Sequence, residues 1–289
     1  RLSEERIRGN FTVTNPNFNY SDKSLSTDIF LTDTDKLADS GYKSTNAGFS
    51  FGTAFEQYDD FFFRPTFRTT YEELTTNSSA STNLKKQEGT YFTTNIGYVL
   101  DLDKRNQKFQ TTDGYRSRFS QRIPLFSEDY AFLNSYDYTT FNQFGNMVTR
   151  VAFLARTINS INGEDVRISK RLYIPTKRLR GFESMRIGPI DSGDYIGGNH
   201  TAVFNASTTL PDFGANLEKV DFQVFFDAAN VWGVDYDSSL DNSTIRSSAG
   251  FSVDWYTVVG PLNFSIAQPL SKASSDKTET FRFNIGTTF

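Results

Sequence analysis

Few residues of this chain have the types and spacing that catalysis or metal binding requires. The 289 residues contain no cysteine and one histidine, His200, which argues against thiol chemistry, cysteine-ligated zinc and a histidine-dependent triad. The acidic pairs Asp59-Asp60, Glu72-Glu73 and Glu128-Asp129 fall at predicted connections or strand ends, where solvated turns explain them better than acid–base catalysis. A net charge of −4 argues against a nucleic-acid partner. The sequence therefore predicts a protein that is not an enzyme and has no cofactor and no metal site.

One run of residues has the composition of a specific ion-pairing motif. Lys177-Arg178-Leu179-Arg180-Gly181-Phe182 stands outside any strand pattern, in a long connection that reaches Gly197-Gly198-Asn199. An arginine can bind a carboxylate through two parallel hydrogen bonds, and a glycine allows a sharp turn close to other backbone. Taken alone, the run equally fits a solvated loop with a turn glycine. Its interpretation therefore depends on the elements around it.

The elements around this run are predicted to be β-strands, because apolar residues recur at every second position. Tyr115, Phe119 and Ile123 share one face of a strand, whereas Arg116 and Arg118 share the other. No segment approaches the roughly 18 apolar residues of a membrane-spanning helix. Aromatic residues make up 16% of the chain, which favours an aromatic face that meets lipid and a polar face that lines a wet lumen.

The pattern predicts an all-β chain that forms one domain, a transmembrane antiparallel up-and-down β-barrel. We expect about 14 strands, with an average spacing that suits a barrel crossing the membrane. A soluble β-sandwich, with the apolar face as its core, is the alternative. The predicted strands lie near residues 5–15, 24–34, 43–56, 60–75, 89–103, 114–124, 129–144, 147–160, 168–175, 200–210, 220–232, 246–257, 261–270 and 280–289.

An ordered set of motifs in the C-terminal part of the chain allows the sequence to be compared with one protein family. After Arg180-Gly181-Phe182 there follow Ile187-Gly188-Pro189, Gly197-Gly198-Asn199, the segment from Phe225 to Trp232, Ser248-Ala249-Gly250, the segment from Gly260 to Pro269, and the ending from Phe281 to Phe289. This set resembles the BamA family of the bacterial surface antigen superfamily, the central barrels of the outer-membrane protein assembly machine in Gram-negative bacteria. Weaker similarity upstream extends the resemblance over nearly the whole chain.

The resemblance implies a barrel domain of about 16 strands that is preceded by periplasmic POTRA domains. The similarity begins at the family's third strand. We therefore expect residues 1–289 to form the transmembrane barrel domain, with the POTRA domains and the first two barrel strands absent from this sequence. A naturally shorter barrel is the alternative.

The resemblance also implies a long extracellular loop that folds into the lumen. Arg180, Gly181 and Phe182 match the family's Arg-Gly-aromatic loop signature, and Asp227 matches the acid of the inner wall that pairs with the arginine. The alternation along this strand supports an inward-facing Asp227. A second family acid falls at Thr209, so we expect that contact to be missing. An ordinary charge pair in the lumen is the alternative interpretation.

The chain ends in a strand that resembles the family's closing strand. Phe281, Phe283, Ile285 and Phe289 share its predicted lipid-facing side, and Gly286 would weaken the local pairing and permit a bend. The resemblance implies that this strand forms a lateral seam with the first strand of the barrel. A weakly paired edge can open and act as a template for a client strand.

The resemblance finally implies an integral protein of the bacterial outer membrane. Its function would be to fold and insert nascent outer-membrane proteins through the lateral seam, without ATP. The implied partners are these nascent proteins, the assembly-machine lipoproteins that bind the POTRA domains, membrane lipid and lipopolysaccharide. The alternatives are a TamA-like assembly or translocation barrel and a passive diffusion porin, and a soluble adhesin belongs to the sandwich alternative.

Overall fold

The computed structural model describes residues 2–3, 6–128, 130–211, 220–257 and 260–285. Within these ranges, fourteen strands form one antiparallel sheet, in which each strand pairs with the strands of that sheet that precede and follow it in the chain. They are β1 (Leu2–Ser3), β2 (Arg6–Asn15), β3 (Ser24–Lys36), β4 (Tyr42–Tyr58), β5 (Phe61–Thr76), β6 (Gly89–Asp103), β7 (Gly114–Ser127), β8 (Ala131–Phe144), β9 (Met147–Ser160), β12 (His200–Thr209), β13 (Val220–Trp232), β14 (Arg246–Thr257), β15 (Gly260–Ser271) and β16 (Phe281–Ile285).

The remaining elements lie in the connections. A separate hairpin of β10 (Ile190–Asp191) and β11 (Asp194–Tyr195) sits between β9 and β12. The helices found among the described residues are α1 (Thr82–Lys85) and three 3₁₀ turns, Phe18–Tyr20, Thr176–Arg178 and Ser238–Leu240. Within the described ranges, no helix has the length and apolar composition needed to cross a membrane.

The strand register puts polar and apolar residues on opposite faces of the sheet. Asp101, Arg118 and Asp137 are register partners across β6, β7 and β8 on one face, while Leu100, Phe119 and Tyr136 are partners on the other. Directly paired residues of an antiparallel ladder point to the same side of the sheet. The predicted alternation therefore holds across neighbouring strands as well as along each strand.

The outer face of the sheet carries exposed apolar rings. Phe126 and Phe251 are 73% and 64% exposed, and Phe283 of β16 is 45% exposed. Phe119 and Phe264 are partly exposed on the same face. Apolar rings directed away from the interior are the arrangement of a membrane barrel, whose outer band contacts lipid. The predicted all-β transmembrane barrel fold is confirmed.

Contacts between distant strands show that the sheet curls around an interior. In the connection between β6 and β7, the ring of Phe109 packs edge to face on Tyr256 of β14, with centroids 5.5 Å apart. Arg186, in the connection between β9 and β12, pairs with Asp39 between β3 and β4. Since these pairs are far apart in the strand order, they meet only if the sheet closes toward itself.

A cavity of about 640 Å³ remains inside the sheet, beside the connection between β6 and β7. Basic side chains outnumber acidic ones along its wall. The basic residues are Arg105, Lys108, Arg116, Arg118, Arg150 and Arg178, and the acidic ones are Asp137, Asp221 and Asp254. A charged wall of this kind is stable only where water solvates it, so the interior is a polar lumen.

The predicted strand at residues 168–175 is wrong. These residues belong to the connection between β9 and β12, where Leu172 and Gly198 form an isolated bridge. Ile168, Leu172 and Ile174 are buried there. The apolar spacing reflects packing of the connection against other residues, which mimics the period of a strand. The sheet still has fourteen strands because Leu2–Ser3 pairs with β2.

β16 forms the last described edge of the sheet. It pairs with β15 over five register positions, from Leu262–Ile285 to Ile266–Phe281. Among the described residues, β16 has no strand partner on its other side. An edge of this kind presents unpaired backbone N–H and C=O groups.

Candidate functional site

The connection between β9 and β12, residues 161–199, folds back over the inner face of the sheet. We call it the long loop. It contains the 3₁₀ turn Thr176–Arg178 and the hairpin of β10 and β11. Its apolar residues Ile174, Leu179, Phe182 and Ile187 form a buried cluster with inward residues of β9, β12 and β13. The long loop therefore lies in the lumen, packed on an apolar patch of an otherwise polar wall.

Arg180 and Asp227 form the central polar contact of the long loop. The Arg180 Nε donates to Asp227 Oδ2 at 2.7 Å, and Nη2 donates to Oδ1 at 2.8 Å. The Arg180 backbone N–H donates to the same carboxylate at 3.1 Å. Their side chains are only 3% and 0% exposed. A buried two-pronged pair of this kind fixes both the position and the orientation of the arginine.

An aromatic ring completes the surroundings of the arginine. The Arg180 Cζ lies 3.4 Å from the centroid of the Phe225 ring. Phe225 occupies the inward position two residues before Asp227 on β13. A guanidinium stacked on an aromatic face gains a cation–π attraction that is larger where water is excluded.

Asn205 and Ser248 hold the same contact from the neighbouring strands. They are the register partners of Asp227 on β12 and β14. Asn205 Nδ2 donates to Asp227 Oδ1 and to the Arg178 carbonyl, both at 2.8 Å. The Ser248 hydroxyl donates to the Arg180 carbonyl at 2.5 Å. Sequence reasoning assigned neither residue to the contact between Arg180 and Asp227, although the strand period places each of them on the inner face.

Gly181 and Phe182 allow the long loop to pack closely against the inner face of the sheet. Gly181 has a φ of +87°, and a Cβ there would lie 3.1 Å from the Cβ of Ala267 and 3.3 Å from that of Ser248. Phe182 is 1% exposed within the apolar cluster. The glycine thus serves a left-handed backbone conformation and a close approach at once.

Further ion pairs fasten the long loop at other points. Glu72 on β5 is 2% exposed and pairs with Arg167 and Lys170 of the long loop. The interpretation of Glu72 as a solvated strand end is therefore wrong, because its position on the inner face buries it beneath this loop. Arg178 pairs with Asp137 on β8 at 2.7 Å.

Two other positions singled out in the sequence have ordinary local contacts. The Thr209 hydroxyl accepts a hydrogen bond from the Val148 backbone N–H at 2.7 Å. His200 packs against Trp232, with ring centroids 5.6 Å apart. In the part of the chain that the structure describes, no cluster of three or more His, Cys, Asp or Glu residues could hold a metal ion.

The residues predicted for the terminal strand lie only partly within the described ranges. Phe281, Phe283 and Ile285 point outward from β16, and the Phe283 ring lies 4.9 Å from that of Phe264. Gly286 and Phe289 lie outside the described residues. Their predicted roles, and the pairing of this strand with the first strand, remain predictions.

The hairpin of β10 and β11 carries a buried carboxyl group. Asp194 is 8% exposed, and its carboxylate lies against the backbone of Gly41 in the connection between β3 and β4. Burial and, secondarily, the charge of nearby Asp191 raise the pKa of Asp194 above its ordinary value. The ionised form of this group is therefore less favourable in the docked long loop than in water.

Comparisons with known proteins show the family of this chain. The model of the Omp85 superfamily domain matches residues 1–289. The outer membrane protein assembly factor BamA of Neorickettsia risticii is 24% identical over 272 residues, which cover 90% of this chain and 36% of that protein. BamA of Neisseria meningitidis is 33% identical over 139 residues, 38% of this chain and 17% of that protein.

Solved structures share the fold. The crystal structure of BamA from Haemophilus ducreyi lacking POTRA domains 1–3 aligns with a TM-score of 0.86 and 22% identity, covering 96% of this chain and 61% of that one. CdiB from Acinetobacter baumannii aligns with a TM-score of 0.57 and 13% identity, covering 97% of this chain and 50% of that one. This chain thus spans about a third or less of the length of the two BamA sequences.

Proposed function

We propose that this chain, which belongs to the Omp85 superfamily and is an integral β-barrel of the outer membrane, folds and inserts nascent outer-membrane proteins. The observation that carries the proposal is the anchored long loop, in which Arg180 and Asp227 form a buried two-pronged pair. A loop fixed inside the lumen at this specific point is an arrangement that an assembly barrel of this superfamily would use to hold its wall in shape.

The proposed mechanism uses the edge of the sheet. Within the described residues, β16 pairs with β15 from Leu262–Ile285 to Ile266–Phe281 and has no strand partner on its other side. An exposed edge can bind an incoming strand through main-chain hydrogen bonds that do not depend on the client's side chains. Strand pairing and burial of apolar surface in lipid release free energy, so the proposed insertion through a lateral seam requires no ATP.

The docked long loop also separates this proposal from the porin alternative. A diffusion pore needs a continuous water-filled passage. Here the long loop packs on inner-wall residues of β9, β12 and β13 and pairs with Glu72 on β5 and Asp137 on β8. A loop that crosses the lumen between these walls favours assembly over passive diffusion.

The proposal implies particular partners. Nascent outer-membrane proteins are the clients, and membrane lipid is the solvent of the outer face. The lipoproteins of the assembly machine and lipopolysaccharide are the further partners that the family resemblance implies. The TamA-like alternative shares the anchored loop but fits the sequence of the last two strands less well, and the identity of the clients distinguishes it by experiment.

The function is tested with the full-length protein in proteoliposomes that contain no ATP. A urea-unfolded model barrel is added, and its insertion is followed by the shift in gel mobility of the folded form. We expect insertion to be faster than in empty liposomes, and Arg180→Ala to reduce this acceleration. Exchanging the two charges, Arg180→Asp with Asp227→Arg, should restore part of it.

The matched control is Arg122→Ala. Arg122 also lies on the inner face, on β7, and its side chain has no hydrogen bond or ion pair within the described part of the chain. This variant should insert clients at the unaltered rate. Equal insertion rates with the unaltered protein and with empty liposomes would contradict the proposed function.

A further inference from the structure

A second arginine, on the edge strand, binds the backbone of the long loop. Arg282 of β16 points inward and is 8% exposed. Its Nη2 donates to the Phe182 carbonyl at 2.5 Å, and its Nη1 donates to the carbonyls of Leu179, at 3.3 Å, and Thr176. Its Nε pairs with Glu279 just before the strand. One guanidinium therefore binds three carbonyls on either side of Arg180.

Backbone pairing strengthens the same junction. The chain leading into β16 runs antiparallel to the segment that follows Arg180, with a bridge between Phe182 and Thr278. Glu279 N–H donates to the Gly181 carbonyl at 3.2 Å, and Glu183 N–H donates to the Lys277 carbonyl at 3.0 Å. The long loop thus adds a short strand-like contact to the start of the last strand.

Residues 176–182 consequently connect two strands that do not touch each other. The side chain of Arg180 is fixed to Asp227 on β13, and the carbonyls around it are fixed to Arg282 on β16. In the sheet, β14 and β15 lie between these strands. The segment therefore forms a second link between β13 and β16, independent of the sheet ladder.

We propose that Arg282 is a positioning residue that couples docking of the long loop to the position of the edge strand. While Arg180 is bound to Asp227, Arg282 holds β16 against β15. If either contact breaks, the other no longer restrains β16, and the edge opens more often. The role in client insertion rests on the proposed function, whereas the coupling is a property of the barrel itself.

The chemistry of the contact suits a coupling that tolerates sequence change in the loop. Arg282 binds backbone carbonyls, which every residue carries. Its contacts therefore depend on the backbone conformation of residues 176–182 and not on the side chains of these residues. A guanidinium has five N–H donors in a rigid plane and can serve three acceptors at fixed directions. A lysine carries the same charge on a single nitrogen and would satisfy fewer of these carbonyls.

The test measures hydrogen–deuterium exchange of the full-length protein in nanodiscs, without any client. We expect Arg282→Gln to raise the exchange rate of the β16 amides about tenfold, a size typical of the coupling between residues of one network. Asp227→Asn should raise the exchange of the same amides, although β14 and β15 separate it from them. The double variant should exchange no faster than the faster single variant.

The decisive result is that the effects of the Arg282 and Asp227 substitutions on β16 exchange are not additive. Two contacts that act independently would give additive effects. A double variant whose effect equals the product of the two single effects overturns the coupling, as does unchanged exchange of β16 in Arg282→Gln. Arg122→Gln serves as the control and should leave β16 exchange unaltered.

A conservative variant and the absence of a client allow the exchange experiment to be interpreted in every case. If Arg282→Gln does not fold, Arg282→Lys, whose folding is verified by gel mobility, replaces it and should give an intermediate rise. Because no client is present, the exchange result stands apart from insertion. Normal coupling without insertion overturns the proposed function alone, and insertion without coupling overturns the role of Arg282 alone.

Discussion

The carboxylate of Asp227 accepts hydrogen bonds from the backbone and the guanidinium of Arg180 and from Asn205. Both of its oxygens are used, and its side chain is 0% exposed. Taking an ion pair out of water is costly, so the pair persists only because nearly every polar atom finds a partner. The contribution of this site is geometric: it specifies where the long loop docks.

Asp227→Asn should destabilise the docked long loop by about 3–5 kcal/mol, because it leaves a buried guanidinium without its counter-charge. The midpoint of unfolding in urea, followed by gel mobility, measures the loss. Asp254→Asn on β14, which lines the water-filled cavity, is the control and should shift the midpoint much less. Equal shifts in the two variants would contradict the anchor.

Gly181→Ala should cost about 1–2 kcal/mol from its left-handed backbone conformation, with a further loss from the contacts of the new Cβ with Ala267 and Ser248. Gly193→Ala is a matched control, since Gly193 has a φ of +96° and nothing within 4 Å of its Cβ position. The unfolding midpoints of the two variants separate backbone strain from packing. If the two midpoints are the same, the close approach at Gly181 has no energetic importance.

Asp194 provides a pH dependence whose sign follows from its raised pKa. Below the ordinary aspartate pKa the group is neutral in both states and costs nothing. As the pH rises through the folded pKa, the docked long loop loses stability and remains less stable at neutral pH. Asp194→Asn should therefore slow amide exchange of the β10–β11 hairpin at pH 7 and have little effect near pH 3.

Asp237 contributes a pH dependence of local stability that is opposite in sign to that of Asp194. This exposed carboxylate accepts hydrogen bonds from the backbone and hydroxyl of Ser239, which lower its pKa. Asp237→Asn should therefore speed local amide exchange at pH 7. Faster exchange of the β10–β11 hairpin in Asp194→Asn at pH 7 would show that the pH argument for Asp194 is wrong.

The strands were largely predictable from the sequence, because apolar residues recur at every second position in most of them. The inner and outer faces of β7 follow from the alternation of Tyr115, Phe119 and Ile123 with arginines. The wrong prediction of a strand at residues 168–175 has a physical cause. Ile168 and Leu172 are buried in the long loop through tertiary packing, and packing can impose an apolar spacing without a ladder of hydrogen bonds.

Opposite faces of one strand should respond differently to the same charge. Tyr138→Glu puts a carboxylate on the outer, lipid-facing side of β8 and should destabilise the barrel by roughly 1–2 kcal/mol. Thr139→Glu places the same group on the inner wall, beside the basic side chains of the cavity, and should cost less. Urea unfolding of the two variants in lipid vesicles tests this difference.

The assembly of the site was less predictable at the scale of the whole molecule. The motif residues of the long loop and Asp227 are identifiable through resemblance, because their types and order are specific. Asn205, Ser248 and Arg282 could not be identified from the sequence as contacts of the long loop, since asparagine, serine and arginine are common on the wet face of any barrel strand. Their importance arises from curling of the sheet, which brings β12, β14 and β16 around one segment of the loop.

The cavity beside the connection between β6 and β7 is small compared with a folded polypeptide segment. About 640 Å³ is the volume of roughly twenty water molecules. A β-hairpin of a client is many times larger than this void. Under the function proposed above, a client would therefore move along the outer face of the sheet, in contact with lipid, and not through this cavity.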